Sequence, residues 1–369
     1  MSNDQDDDFA RSPIDADALL AAAVAADARS RDRSRAMLRD FLLPDAARLD
    51  DRMRAALRSL VRVAIGTIGA DLQAIAIETL RARGAGDAAD ALDTIDAPAI
   101  FTAIERGVAA QADVADELID RVALDLIGDG LAPSSAIFEG QRDLLPMLVE
   151  RGEATTAPLA TALMAADSRR RMPVDQPPYA TDLPASVQER LVWAVAAAIR
   201  ATLNGRPSAQ AMQADVALSA AALRVLAAHD EEDRLEIHAH RLAQAITHEG
   251  ALHDRLEAAL ADRRIALFVA VLADALDIAF QDVRAMVANA DDSRLWLALR
   301  ALDLPRTTIA RIGYALCEAD PRRDVERFAD LLDALMATDT AAARDAIAPL
   351  TLPRFYREAC AQLSRGIAA

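Results

Sequence analysis

The chain has 369 residues and a net charge of −17 at pH 7, with 53% hydrophobic but only 4% aromatic residues. That length holds one large or two medium domains with a sizeable core, and apolar content drawn mostly from Ala, Leu, Val and Ile favours helix over sheet. All 41 basic residues are arginine, so a Schiff-base lysine, a P-loop lysine and a kinase strand lysine are excluded, and the acidity disfavours nucleic acid as a partner.

Residues 1–12 read as a disordered acidic tail, with Asp4, Asp6, Asp7 and Asp8 where a signal peptide needs basic residues. An N-terminal helical domain is expected over 13–171. Its first helix spans 14–33, with Asp15 and Asp17 in the first turn and Arg29, Arg31 and Arg33 near the end, a placement that suits the helix dipole. Pro44 and Asp45 break the chain before a helix over 49–80, whose stripe is Met53, Leu57, Leu60, Val61 and Ala64. The row Arg54, Arg58, Arg62 on that helix reads as a solvated face. Further helices are expected over 98–110, 113–127 (ended by Gly128, Asp129 and Gly130), 133–150 and 155–171.

Pro173, Pro177, Pro178 and Pro184 forbid continuous helix, so 172–184 reads as a Pro-rich linker and the main division of the chain. The C-terminal helical domain, 185–369, opens with the clearest amphipathic helix, 183–203. Val187, Leu191, Val195, Ile199 and Leu203 recur every four residues, and Trp193 falls off this stripe, which implies a second buried contact. Helices follow over 215–228, 265–276, 280–287, 295–302, 307–316, 324–336 and 355–363, with a charged region over 230–262. Pro305, Pro321, Pro349 and Pro353 fall where turns belong. Strand signals are absent. The expected class is all-α, a HEAT-like array of short antiparallel helices forming an α-solenoid or helical bundle. Matches such as Leu57/Leu191 and Val61/Val195 at a shift of 134 positions raise an internal duplication.

Two passages, DLPASVQERLVWAVAAAIR at 182–200 and the segment 264–316 with its LFVAVLADAL helix and ALRALDLP turn, resemble an alphaproteobacterial family catalogued as domain of unknown function 2336. LDDRMRAALRSLVRVA near Leu49 is similar to the family's early helix. The resemblance implies a helical, HEAT-like array with a regulatory role, and brings no catalytic residues.

All five histidines lie between His229 and His253, interleaved with carboxylates. Glu236/His240 and Glu249/His253 are E-x-x-x-H pairs, each placing a carboxylate and an imidazole on one helical face. If the two helices pack antiparallel, His238, His240, Glu249 and His253 converge on a Zn²⁺-like ion, with Glu236 and Asp254 as alternative ligands. The ALHD element at 251–254 is similar to the His-Asp element of HD-type phosphohydrolases, with His229, His238 or His240 upstream and Asp274 or Asp277 downstream. Arg255 departs from that pattern, since the family has an apolar residue there, and the spacing from His238 is short. The competing account is a solvated, salt-bridged helical pair in which histidine is an incidental polar residue. Ser134, Ser135 and Ser293 lack a triad arrangement, and no glycine-rich phosphate loop exists. Cys317 and Cys360 read as small core residues, Trp193 and Trp296 as core or groove anchors, and Tyr179 as a linker contact residue.

The function expected from these features is that of a cytosolic, non-catalytic adaptor or regulatory protein, binding a protein partner through its helical-array surface. The acidic chain selects a basic partner. No cofactor, nucleic acid or membrane is expected, since the longest uncharged run, 154–166, is too short to span a bilayer. A homodimer is compatible with the sequence. The alternative is a metal-dependent HD-type phosphohydrolase, or a metal or pH sensor, built on the 229–257 cluster.

Overall fold

A computed structural model describes residues 51–105, 112–131, 138, 143–171, 181–203, 208–248, 250–290 and 293–367. The expected acidic tail, the helix over 14–33, Tyr179 and most of the Pro-rich linker lie outside these residues. Among the described residues every regular element is helical, so the protein is all-α. In chain order the α-helices are α1 (Asp51–Ala82), α2 (Gly86–Asp93), α3 (Ala97–Glu105), α4 (Ala112–Gly130), α5 (Leu144–Arg151) and α6 (Thr156–Arg171). Next come α7 (Ala185–Thr202), α8 (Ser208–Ala227), α9 (Leu235–Ala245), α10 (Leu252–Ala261), α11 (Ile265–Leu276) and α12 (Phe280–Ala288). The series ends with α13 (Arg294–Ala301), α14 (Arg306–Ala319), α15 (Val325–Ala337), α16 (Thr340–Ile347) and α17 (Arg354–Ile367). Neither α2 nor α16, each of eight residues, is among the helices expected from the sequence.

Neighbours in sequence pack as pairs, α5 on α6, α7 on α8, α10 on α11 and α14 on α15. Contacts also cross the Pro-rich segment: α1 lies along α8 and α7, α6 against α9, and α4 against α11, α12 and α14. One apolar core therefore runs from Met53 to Leu350. In a pure solenoid each unit touches only its neighbours. The long α1 and the central α4 instead give the array a bundle-like middle.

Although α1 is long and apolar enough to cross a bilayer, a property that the uncharged-run criterion overlooks, Leu57, Ile65, Ile68, Leu72 and Leu80 are buried in the shared core. It sits as a core helix does. The helix α4 ends at Gly130, so the stop expected at Gly128, Asp129 and Gly130 forms its last three residues. A Cβ on Gly130 would lie 2.1 Å from the Ala319 carbonyl oxygen at the end of α14, so this glycine, besides closing the helix, permits the two helix ends to approach closely.

The two tryptophans part company. Trp296 is buried against Phe328, ring centroids 4.7 Å apart, with the Arg323 guanidinium over its face. Trp193 is 38% exposed, so the second contact expected for it leaves the ring only partly buried. The cysteines divide likewise, Cys317 buried and Cys360 exposed on α17.

Candidate functional site

Two helix N-termini exchange caps across the middle of the molecule. Glu231 accepts a 2.7 Å bond from the backbone N–H of Ala185, the first residue of α7. In return Asp182, just before α7, accepts a 3.0 Å bond from the N–H of Leu235, the first residue of α9. Both helices begin without a side-chain cap of their own, and a carboxylate at such an end also complements the helix dipole. Asp182 adopts the left-handed backbone, φ 49°, a conformation that Asp tolerates better than most residues. Its carboxylate also takes a 3.0 Å bond from Arg170, while its carbonyl takes a 3.1 Å bond from Arg121.

Behind these caps lies a buried charge network. Arg284 of α12 donates to both oxygens of Glu117 on α4 (2.8 and 2.6 Å) and to Glu236 on α9 (2.8 Å). Arg234 bonds Glu236 (2.9 Å) and Glu231 (2.8 Å). Burial works against the charged form of Glu236, but Arg284, Arg234 and Arg170 hold its carboxyl below the usual range. Burial likewise opposes the charge on Arg284, yet Glu236, Glu117 and Asp120 hold its guanidinium well above its ordinary pKa. Asp120, 3.8 Å from Arg284, is pushed up to about 7 by burial, an effect that Arg284 opposes and the neighbouring Glu117 and Asp116 reinforce. Three helices, α4, α9 and α12, are thereby pinned by groups that would each be costly to leave unpaired.

A cavity of about 560 Å³ opens between α1, α6, α8 and the 228–234 turn. Its four arginines all have carboxylate partners: Arg169 pairs with Asp233 at 2.7 Å, Arg170 with Asp125 at 2.9 Å, Arg234 with Glu231, and Arg224 with Glu78 at 3.8 Å. Asp71 on its α1 wall has no hydrogen bond or ion pair among the described residues, and partial burial raises its carboxyl pKa. Leading away from the mouth, α8 exposes Met212, Val216 and Leu223 on one face. Arg224 and Val225, next in the chain, line the cavity.

The histidine cluster does not close around a point. His238 sits 3.1 Å from Asp233 and His240 3.1 Å from Gln244. His253 is 3.4 Å from Asp254 at the start of α10, His229 is 3.4 Å from Glu231, and His248 is exposed. Glu236 is spent on arginines and so does not pair with His240, although the two share a helical face by spacing. Asp274 takes a bond from Thr247, and Asp277 caps α11 in the left-handed conformation. Glu249 lies outside the described residues. Among the described residues no group of three or more His, Cys, Asp or Glu is arranged to hold a metal ion.

Apolar periodicity points away from the residues that do converge, because Glu117, Arg284 and Glu236 lie on core-facing positions that the pattern reserves for apolar side chains. The one signal available is a lone charge flanked by apolar residues, as in Val283-Arg284 followed by Met286 and Val287.

These features define an all-helical array whose middle is cross-linked by buried ion pairs. Residues 170–345 match the family described as an uncharacterised protein conserved in bacteria, DUF2336. No curated protein and no solved structure matches the chain. The matched segment opens at Arg170, beside the Pro-rich division, and contains Asp182, Arg234, Glu236 and Arg284. Glu117, which completes their network, lies outside it on α4.

Proposed function

We propose that the protein is a non-catalytic helical adaptor whose α8 face and adjoining cavity take a basic, partly apolar segment of a protein partner. One observation carries this reading. Asp71, a carboxylate without a partner among the described residues, stands in a cavity whose arginines are each paired with a carboxylate, at the end of an exposed apolar stripe. Such a site favours a cationic side chain over an anion, because an incoming anion would have to break existing ion pairs. Met212 and Leu223, 68% and 61% exposed, supply apolar area for an amphipathic helix or strand, and the charge of −17 attracts a basic partner from a distance. A cytosolic setting agrees with this reading.

The test is direct binding, read by fluorescence anisotropy, of synthetic amphipathic peptides that carry either arginine or glutamate on the polar face. The arginine peptide is expected to bind with an affinity that falls as salt rises, and Asp71→Asn together with Leu223→Glu to weaken it about tenfold or more. Equal binding of both peptides, or binding indifferent to these substitutions, overturns the proposal.

A further inference from the structure

The helix α17 presents the wrong face to solvent. Its charged side is turned to the body: Arg357 donates to Asp282 of α12 at 2.5 Å, and Arg354 lies 3.7 Å from Asp116 of α4 while bonding Glu358 at 2.9 Å. Its apolar side points outward, with Phe355 84% exposed, Leu363 69% and Tyr356 59%. Ala359 and Cys360 lie exposed between them, and among the described side chains Gln362 and Ser364 complete this uncharged face. An amphipathic helix in water normally buries its apolar stripe and solvates its charges; here the charges anchor it and the stripe is left open.

We propose that this face is covered by the same face of a second copy, in a two-fold symmetric pairing of α17 with its twin. Three observations favour a second copy over other occupants. A symmetric contact must be complementary to itself, and in a chain of charge −17 most surfaces repel their copies; this face carries no charge. Tyr356, Ala359 and Leu363 follow the 3-4 spacing of a helix–helix seam. The exposed parts of Phe355, Tyr356, Leu363 and Leu352 offer roughly 500–600 Å², which approaches the ~800 Å² per partner of a standard interface once Ala359, Cys360 and Pro353 are added. With the symmetry axis opposite Ala359, the aromatic pair of one copy meets Leu363 of the partner subunit. The two Cys360 thiols then come near each other across the small centre.

Sedimentation velocity of the full chain over a concentration series tests this, alongside mild oxidation. The chain has two cysteines and Cys317 is buried, so Cys360 is the thiol available for cross-linking. The wild type is expected to sediment as a dimer at tens of micromolar and to form a disulfide-linked dimer that Cys360→Ser abolishes. Phe355→Glu with Leu363→Glu is expected to give a monomer with no cross-link and the Tm of the wild type diluted to its monomer, since both residues are exposed in the single chain. A wild type monomeric at about 100 µM, or a cross-link indifferent to the double substitution, overturns the proposal. So does a monomer that co-sediments with phospholipid vesicles through α17. A double variant that melts below the wild type diluted to its monomer also overturns it, because that shows the face to be covered within the single chain.

Discussion

The junction of α4, α9 and α12 and the outer face of α17 are opposites. At the junction Arg284, Glu117 and Glu236 are charged and each less than 9% exposed in the side chain, whereas on α17 Phe355 is apolar and 84% exposed. Each reverses the ordinary sorting of polar and apolar groups, and each is tolerated for a different reason. Inside, every charge has a partner in a fixed geometry, so the arrangement fixes which helices meet more than it adds stability. Outside, ion pairs to Asp282 and Asp116 orient the helix without burying apolar area, so the apolar face remains available. Charge placement, more than hydrophobicity, sets both.

If that contrast is right, the junction answers to substitution far more strongly than α17. The largest effect is expected from Arg284→Met, which leaves Glu117 and Glu236 buried without their main partner and costs about 3–5 kcal/mol in urea or guanidinium unfolding. A loss under about 1 kcal/mol would show the network to be solvated and the contrast to be weaker than drawn. Next is Gly130→Ala, where the new Cβ meets the Ala319 carbonyl oxygen at 2.1 Å. Backbone must shift, and a loss of about 2–3 kcal/mol is expected from the same unfolding experiment.

The pH profile sharpens the picture at the junction's rim. The Asp120 carboxyl, at about 7 in the folded protein against 3.8 as its ordinary value, keeps a proton that the unfolded chain releases. Stability therefore falls as pH rises from about 4 to about 7, with a slope of up to ~1.4 kcal/mol per pH unit. Asp120→Asn should flatten that slope in melts recorded across the window. Glu236, held below its ordinary value, acts in the opposite sense and only below about pH 4.5. The smallest effect is expected on the outer side, where Phe355→Ser should change the unfolding free energy of the single chain by no more than about 0.5 kcal/mol.

The histidine cluster shows how far a linear pattern can be trusted. Five histidines among carboxylates within 25 positions satisfy the spacing rules for metal ligands, and Glu236/His240 share a helical face. Spacing says which side chains can point together, but not which neighbours from other helices reach them first. Arg234 and Arg284 bond Glu236, Asp233 takes His238, and Gln244 takes His240. Metal analysis of protein purified without an affinity tag, which includes Glu249, tests the remaining alternative; stoichiometric zinc, manganese or iron would revive it.

Local periodicity sufficed for the all-α class and for most of the longer helices. Ile265–Leu276 appears at the expected bounds, and the 183–203 stripe is buried at Val187, Leu191, Val195 and Ile199. These follow from i, i+4 apolar repeats, a property of neighbouring residues alone. Partners distant in sequence are another matter. Glu117 meets Arg284 across 167 positions and Asp182 caps a helix 53 positions on, pairings that arise only once α1 and α4 have brought the two halves into one core. Exposure of Trp193, Cys360 and the α17 stripe was likewise set by packing, because which face of a helix is covered depends on what its neighbours leave open.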